Sequence, residues 1–408
     1  MRKFLAVVSV ASVALIYCPI HAQSAMTDEA VSQKVEWLEQ RVKQLEAQVA
    51  EEKPAQASAV APIVGGIEIS GGISTSSVWN FDAPDDSKNA LRVFDTAANS
   101  ANVELVEIGV AKHSQETGLG GRVDLAFLET AEVITAAGTT RDDLDVRQAY
   151  ITYDFPWIEG VSLKAGKFVT LLGAEVIEPW DNWNFSRSYL FGFAIPFTHT
   201  GITGSKTFCD MVSLTAGVVN GWDNIEDNNE GKTFLGNLTL GPWKWFTLGI
   251  NGIVGPEQEN ENSNMRWVID AVLTVKPEPV PQLTFLLNYD YGSEDSIPVI
   301  GEDALGNSIV VSRFDGAWQG FSGIAKYDIN ERMYAALRGE WFSDEDGART
   351  GTTQDLWEVT ATGAYMIVEG LWGRLEYRHD ESDATPFLDG STATDTMNTL
   401  STELLYRF

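Results

Sequence analysis

The 408-residue chain predicts an all-β protein: an antiparallel transmembrane β-barrel of sixteen strands, within a range of about 14–18, behind a short N-terminal α-helical coiled coil. Three observations carry this. The chain ends on an amphipathic strand, with Leu400, Thr402, Leu404, Tyr406 and Phe408 on one face and Ser401, Glu403 and Arg407 on the other, Leu405 being the apolar exception. The same period of two recurs from Gly66 onward, which is the mark of strands with two unlike faces. The links between these strands alternate long and short, as in barrels with short periplasmic turns and longer outer loops.

Bulk composition agrees. The hydrophobic fraction is 44% and the mean hydropathy −0.10. Beyond the first 20 residues no apolar run approaches the ~18 residues that a spanning helix needs. Asp and Glu total 58 against 28 Lys and Arg, a net charge of −30. Such a charge disfavours nucleic acid as a partner and would repel anions from any mouth it lines.

Residues 1–22 read as an export signal: Arg2 and Lys3 precede an apolar run from Phe4 to Ile16, with a small residue at Ala22. Removal of this segment takes Cys18 with it and is expected to leave Cys209 without a disulfide. Residues 23–52 hold three heptads. Val35, Val42 and Val49 take the a positions, and Leu38 and Leu45 follow Val31 at d. Lys34 and Arg41 at g then oppose Glu39 and Glu46 at e, so self-association is expected, as a homotrimer or a dimer. Residues 53–65 form a Pro/Ala linker, and the barrel occupies 66–408.

The sixteen strand-like segments lie near 67–79, 104–113, 121–129, 144–154, 161–169, 198–206, 212–220, 232–240, 246–254, 265–275, 283–291, 317–328, 333–342, 356–366, 371–379 and 398–408. The long links are near 80–103, 130–143, 170–197, 221–231, 255–264, 292–316, 343–355 and 380–397. A soluble sandwich has no reason to keep that rhythm. Trp157, Trp243 and Trp245 fall in short turns, while Trp222, Trp341 and Phe342 fall near long loops, where interfacial girdles belong.

The most distinctive stretch runs from Ala165 to Ile202. Its Gly166-Lys167-Phe168, Gly173-Ala174-Glu175, Asn182-Trp183-Asn184-Phe185-Ser186-Arg187-Ser188 and Pro196-Phe197-Thr198-His199-Thr200-Gly201 resemble the OmpL-like β-barrel porin-2 family, as does Arg147-Gln148-Ala149-Tyr150 upstream. The resemblance covers roughly residue 60 to the end. It implies an outer-membrane diffusion channel and leaves the solute unnamed.

The 170–197 link is too rich in Trp, Phe and Leu to float in water. Folding into a lumen wide enough for an aqueous channel would bury its aromatics. Glu175, Glu178, Asp181 and Arg187 are then expected at a constriction, opposite the inward residues Arg338, Glu340, Arg374, Glu376 and Arg378. Arginines facing carboxylates across water would impose a transverse field on polar solutes. The alternative is that these groups brace the wall as ion pairs. Leu404, Tyr406 and Phe408 are expected to close and target the barrel.

No catalytic or phosphate-binding motif is present, and the four histidines offer no partnered nucleophile. No cofactor or metal is expected. The expected partners are outer-membrane lipid, a second copy of the chain, small polar solutes and, through the periplasmic helix, the cell wall. A passive, mildly cation-preferring pore is the leading reading. An envelope tether and a loop-mediated receptor or adhesin are the alternatives.

Overall fold

The computed structural model describes residues 63–64, 66–114, 116–139, 143–302 and 308–408. The coiled-coil tract, with Val35, Leu38, Val42, Leu45 and Val49, lies outside them. Sixteen antiparallel strands form one closed sheet. They are β1 (Ile67–Asn80), β2 (Ser100–His113), β3 (Leu119–Phe127), β4 (Leu144–Asp154), β5 (Val161–Val169), β6 (Thr198–Cys209), β7 (Val212–Val219) and β8 (Thr233–Trp243). The second half comprises β9 (Phe246–Pro256), β10 (Met265–Val275), β11 (Leu283–Glu302), β12 (Ser308–Asn330), β13 (Met333–Asp344), β14 (Gln354–Val368), β15 (Leu371–Ser382) and β16 (Thr396–Arg407). Ile63 and Val64 add a two-residue pairing onto the start of β1.

Closure is direct. β16 pairs with β1 from Thr399↔Asn80 to Arg407↔Gly72. Phe408 continues the ladder: its N–H donates to the Gly71 carbonyl at 3.0 Å, and the Gly71 N–H donates back at 3.2 Å. No sheet edge is left along the seam, which is what lets strands cross hydrocarbon.

The direction of the side chains identifies the solvent on each face. Along β14, Trp357 and Val359 are exposed, while Glu358, Thr360 and Thr362 at the alternate positions are buried. On β16, Leu404 is 51% exposed, whereas Ser401, Glu403 and Leu405 point inward and are buried. A water-soluble sandwich would have the opposite polarity. An apolar exterior with a polar interior is a barrel wall meant for lipid.

Three expectations are corrected. The 292–316 link is not a loop, because β11 and β12 run on as a paired hairpin to Glu302↔Ser308. The links 130–143 and 380–397 contain a short helix, α1 (Glu129–Ile134), and a small hairpin of Phe387–Asp389 with Thr392–Thr394. Trp222 and Phe342 leave the girdle. Trp222 packs edge-on to the fully buried Trp318 at 6.5 Å, and the buried Phe342 lies 6.2 Å from Phe193. Trp79, Trp157, Trp243 and Trp357 remain on the outside, each more than half exposed.

Candidate functional site

The long loop after β5 folds into the barrel and supplies its apolar core. Leu172, Ile177, Tyr189, Leu190, Phe191 and Ile195 pack there with Phe94, Trp318 and Phe342. Its neck is tied at several points. The Thr170 N–H donates to the Phe197 carbonyl at 2.9 Å. His199 bridges the Gly221 carbonyl and the Thr170 hydroxyl, at 3.0 and 3.1 Å. The N–H groups of Phe197 and Thr198 both donate to Asp223 Oδ1 at 2.8 Å. Burial pushes the Asp223 carboxyl up to about 6, against the opposing pull of those two donors.

Inside the barrel the loop is pinned to one wall. The carboxylate of Glu376 on β15 accepts the consecutive N–H groups of Phe185 and Ser186 at 2.6 and 2.8 Å. Glu340 on β13 does the same for Tyr189 and Leu190 at 2.6 and 2.7 Å. Arg374 donates to the carbonyls of Pro179 and Asn182 at 3.0 and 2.6 Å and pairs with Glu403 at 3.1 Å. Arg378 donates to the Arg187 carbonyl at 2.6 Å and pairs with Asp380. Arg338 joins Glu175 of the loop at 2.8 Å and Glu358 of β14 at 2.6 Å. Side chains with fixed donor geometry thus satisfy loop carbonyls and amides that would otherwise be buried unpaired.

Close approach needs a glycine at one point of this contact. A methyl group at Gly72 on β1 would lie 2.5 Å from the Trp180 ring. The bare backbone there lets the turn Pro179–Asp181 sit against the seam strands.

The nine candidate residues therefore fall into two sets. Arg338, Glu340, Arg374, Glu376 and Arg378 face inward and are buried under the loop, as are Glu175 and Arg187. Arg338 and Glu175 contact each other directly, and the others hydrogen-bond to the loop backbone. Arg187 folds back on its own loop, donating to the carbonyls of Phe185 and Ile177 at 2.6 and 2.7 Å. Only Glu178 and Asp181 keep solvent access, with side chains 17% and 46% exposed; they pair with Arg147 and Arg407. Sequence reasoning missed Arg92, which joins Asp95 and Asp380, and Tyr189, whose hydroxyl donates to Asp380 at 2.5 Å.

The opposite wall is different. Among the described residues, none from β7–β10 hydrogen-bonds to 170–197. Their inward positions, with those of β6, include Thr203, Ser205, Thr215, Asn237 and Thr239. Ser205 and Thr215 share a hydrogen bond at 2.8 Å, and Asn237 donates to Asn251 at 2.5 Å. Lys164 on β5 sits beside this wall, 4.7 Å from the Tyr150 ring and, among the described residues, in no ion pair. A polar, largely uncharged wall thus faces a loop clamped to the other side.

A closed sixteen-stranded barrel, apolar outside and polar inside, with a long loop folded within it, defines a porin-type outer-membrane protein. The profile of the family described as "Putative beta-barrel porin-2, OmpL-like" matches residues 66–408, and the chain belongs to that family. Solved structures share the fold at low identity. The outer membrane channel DcaP of Acinetobacter baumannii superposes with a TM-score of 0.56 at 13% identity, covering 84% of this chain and 97% of that one. An anion-selective porin from Comamonas acidovorans gives 0.55 at 7% identity, covering 84% and 99%. OprB of Pseudomonas putida gives 0.55 at 9%, covering 84% and 94%. No curated protein matches the chain in sequence.

Proposed function

We propose that the protein is a passive diffusion channel for small hydrophilic solutes or ions, narrowed by the 170–197 loop. One observation carries this: the loop is held against β11–β16 by charged side chains, while among the described residues the polar inward positions of β7–β9 make no hydrogen bond to it. Solutes pass between that wall and the loop edge at Glu178 and Asp181. Selection is by size and by the charge at the mouth. The acidic stretches 222–230, 256–262, 293–303 and 343–346 favour cations mildly.

Planar-bilayer recording of the refolded protein tests both parts. Steps of nanosiemens order with a cation-directed reversal potential in a salt gradient are expected. Silence rejects the channel, and an anion-directed potential rejects the charge argument alone. Self-association, as a homotrimer or a dimer, and a periplasmic role for residues 23–52 belong to the same proposal. Cross-linking of the full chain beside a chain lacking 23–52 reads out both.

A further inference from the structure

Arg349, in the link between β13 and β14, is held firmly and left without an anion. Its Nε donates to the Phe193 carbonyl at 2.6 Å, and its backbone N–H donates to Asp344 Oδ2 at 3.0 Å. The guanidinium carbon lies 4.9 Å from the centre of the Trp222 ring and 5.1 Å from that of Trp318. Those two rings stand at 85° to each other. The side chain thus occupies a right-angled corner of two indoles, where cation–π attraction favours it.

Other buried arginines of the barrel are satisfied. Arg92, Arg147, Arg338, Arg374 and Arg378 each pair with a carboxylate. Arg187 donates from all three nitrogens to loop carbonyls. Arg349 donates from Nε alone. Among the described residues its Nη1 and Nη2 have neither a hydrogen bond nor an ion pair, and the residue keeps contact with solvent. Its neighbour is a second cation: the Arg266 guanidinium carbon lies 5.0 Å from the centre of the same Trp222 ring. Burial, with Arg266 beside it, pushes the Arg349 guanidinium down to about 10.

The carboxylates nearby are committed elsewhere. Glu294 pairs with Arg266 at 2.6 Å. Asp223 accepts the N–H groups of Phe197 and Thr198, and Asp344 those of Arg349 and Thr350. A guanidinium fork without a protein acceptor, partly out of water, has the geometry for a bidentate anion. The corner also adjoins the loop that narrows the lumen. Trp318 Nε1 donates to the Ala194 carbonyl at 3.2 Å, next to the Phe193 carbonyl that Arg349 holds.

We propose that Arg349, with Arg266 beside it, binds the carboxylate of a small organic solute whose carbon frame lies against Trp222. This rests on the channel reading and names a class of solute for it. The three committed carboxylates disfavour a dianion such as phosphate relative to a singly charged group. The acidic mouth acts on every ion at a distance, whereas this subsite acts only on the group that reaches Arg349, so the two do not conflict.

The test is saturation-transfer NMR on the full-length protein in detergent micelles. It compares benzoate with benzamide, its neutral isostere, and uses inorganic phosphate as a competitor. Benzoate should bind saturably, at least tenfold more tightly than benzamide, and phosphate at equal concentration should not displace it. Arg349→Gln should weaken benzoate binding at least tenfold while the folded band persists on a gel. Arg349→Lys keeps the charge without the fork and should fall between; it decides the matter if the glutamine variant does not fold. No benzoate binding, equal binding of benzamide, displacement by phosphate, or binding unchanged in the folded variant overturns the proposal. Binding is read without current, so the two readings fail separately. Nanosiemens steps without benzoate binding reject the subsite alone. Benzoate binding with a silent bilayer rejects the channel and leaves the carboxylate site standing.

Discussion

Arg338 of the wall and Glu175 of the inserted loop meet at 2.8 Å, with side chains 0% and 4% exposed. The same guanidinium holds Glu358 and the Ser186 carbonyl. Removing it strands two buried carboxylates, a change that costs about 3–5 kcal/mol where a buried pair is broken. Arg338→Gln is expected to loosen the loop while leaving the barrel closed, since no seam contact involves Arg338. Single-channel conductance should rise and become noisy, and the temperature at which the folded band shifts on a gel should fall. A variant with wild-type conductance and noise would show that this pair does not hold the loop.

Glu340 and Glu376 are matched clamps, each accepting two consecutive loop N–H groups. A glutamine keeps one acceptor oxygen and brings an amide that faces an N–H donor. Charged hydrogen bonds contribute about 1.5–3 kcal/mol each. Glu340→Gln and Glu376→Gln should each lower stability by about that amount. The double variant should lose roughly the sum, because the clamps grip separate turns of the loop. Chemical denaturation in micelles measures it; a double variant no worse than either single would mean that the loop releases as one unit at the first break.

Much of the wall was legible in the sequence because lipid and lumen impose opposite chemistry on alternate residues. That alternation points Arg338, Arg374 and Arg378 inward without any knowledge of the fold, and Leu405 inward as the exception on β16. What they bind was not legible. Their partners are backbone carbonyls of Pro179, Asn182 and Arg187, and a carbonyl carries no residue signature. Charge type alone suggested opposed fields across water, whereas burial demanded direct contact. The β11–β12 hairpin was misread for a related reason. Its Asp295, Ser296, Pro298 and Gly301 look like turn residues, yet the ladder continues through them with two irregularities. Tyr189 gave no signal beyond being aromatic; its hydroxyl's bond to Asp380 depends on a turn that only the folded loop makes.

Asp223 gives a pH dependence with a defined sign. Burial disfavours its charge and pushes the folded carboxyl up to about 6 from an ordinary value of 3.8. As pH rises from about 4 to 6 the unfolded chain loses this proton first, so the group's contribution falls through that window and is constant above it. Two units correspond to about 3 kcal/mol at most, and the half-buried position reduces this by solvent screening. Asp223→Asn removes the titration and should flatten the stability profile between those pH values relative to wild type. Parallel profiles for the two proteins would rule out this residue as a source of the slope.

Leu404 and Leu405 are neighbours on β16 with opposite surroundings, 51% and 2% exposed. Leu404 faces lipid, where arginine costs about 2–4 kcal/mol near the midplane. Leu404→Arg should therefore reduce insertion into vesicles far more than Leu405→Asn, whose polar side chain joins an interior already holding Ser74 and Glu403 hydrogen-bonded at 2.7 Å. Deleting Phe408 should slow folding without abolishing it. It removes the reciprocal bonds with Gly71 but leaves the pairing from Thr399 to Arg407. Gel-shift assays of folded fraction against time in liposomes separate the three. If Leu404→Arg and Leu405→Asn fold equally, the greasy face of this strand does not meet lipid, and the orientation of the entire wall is wrong.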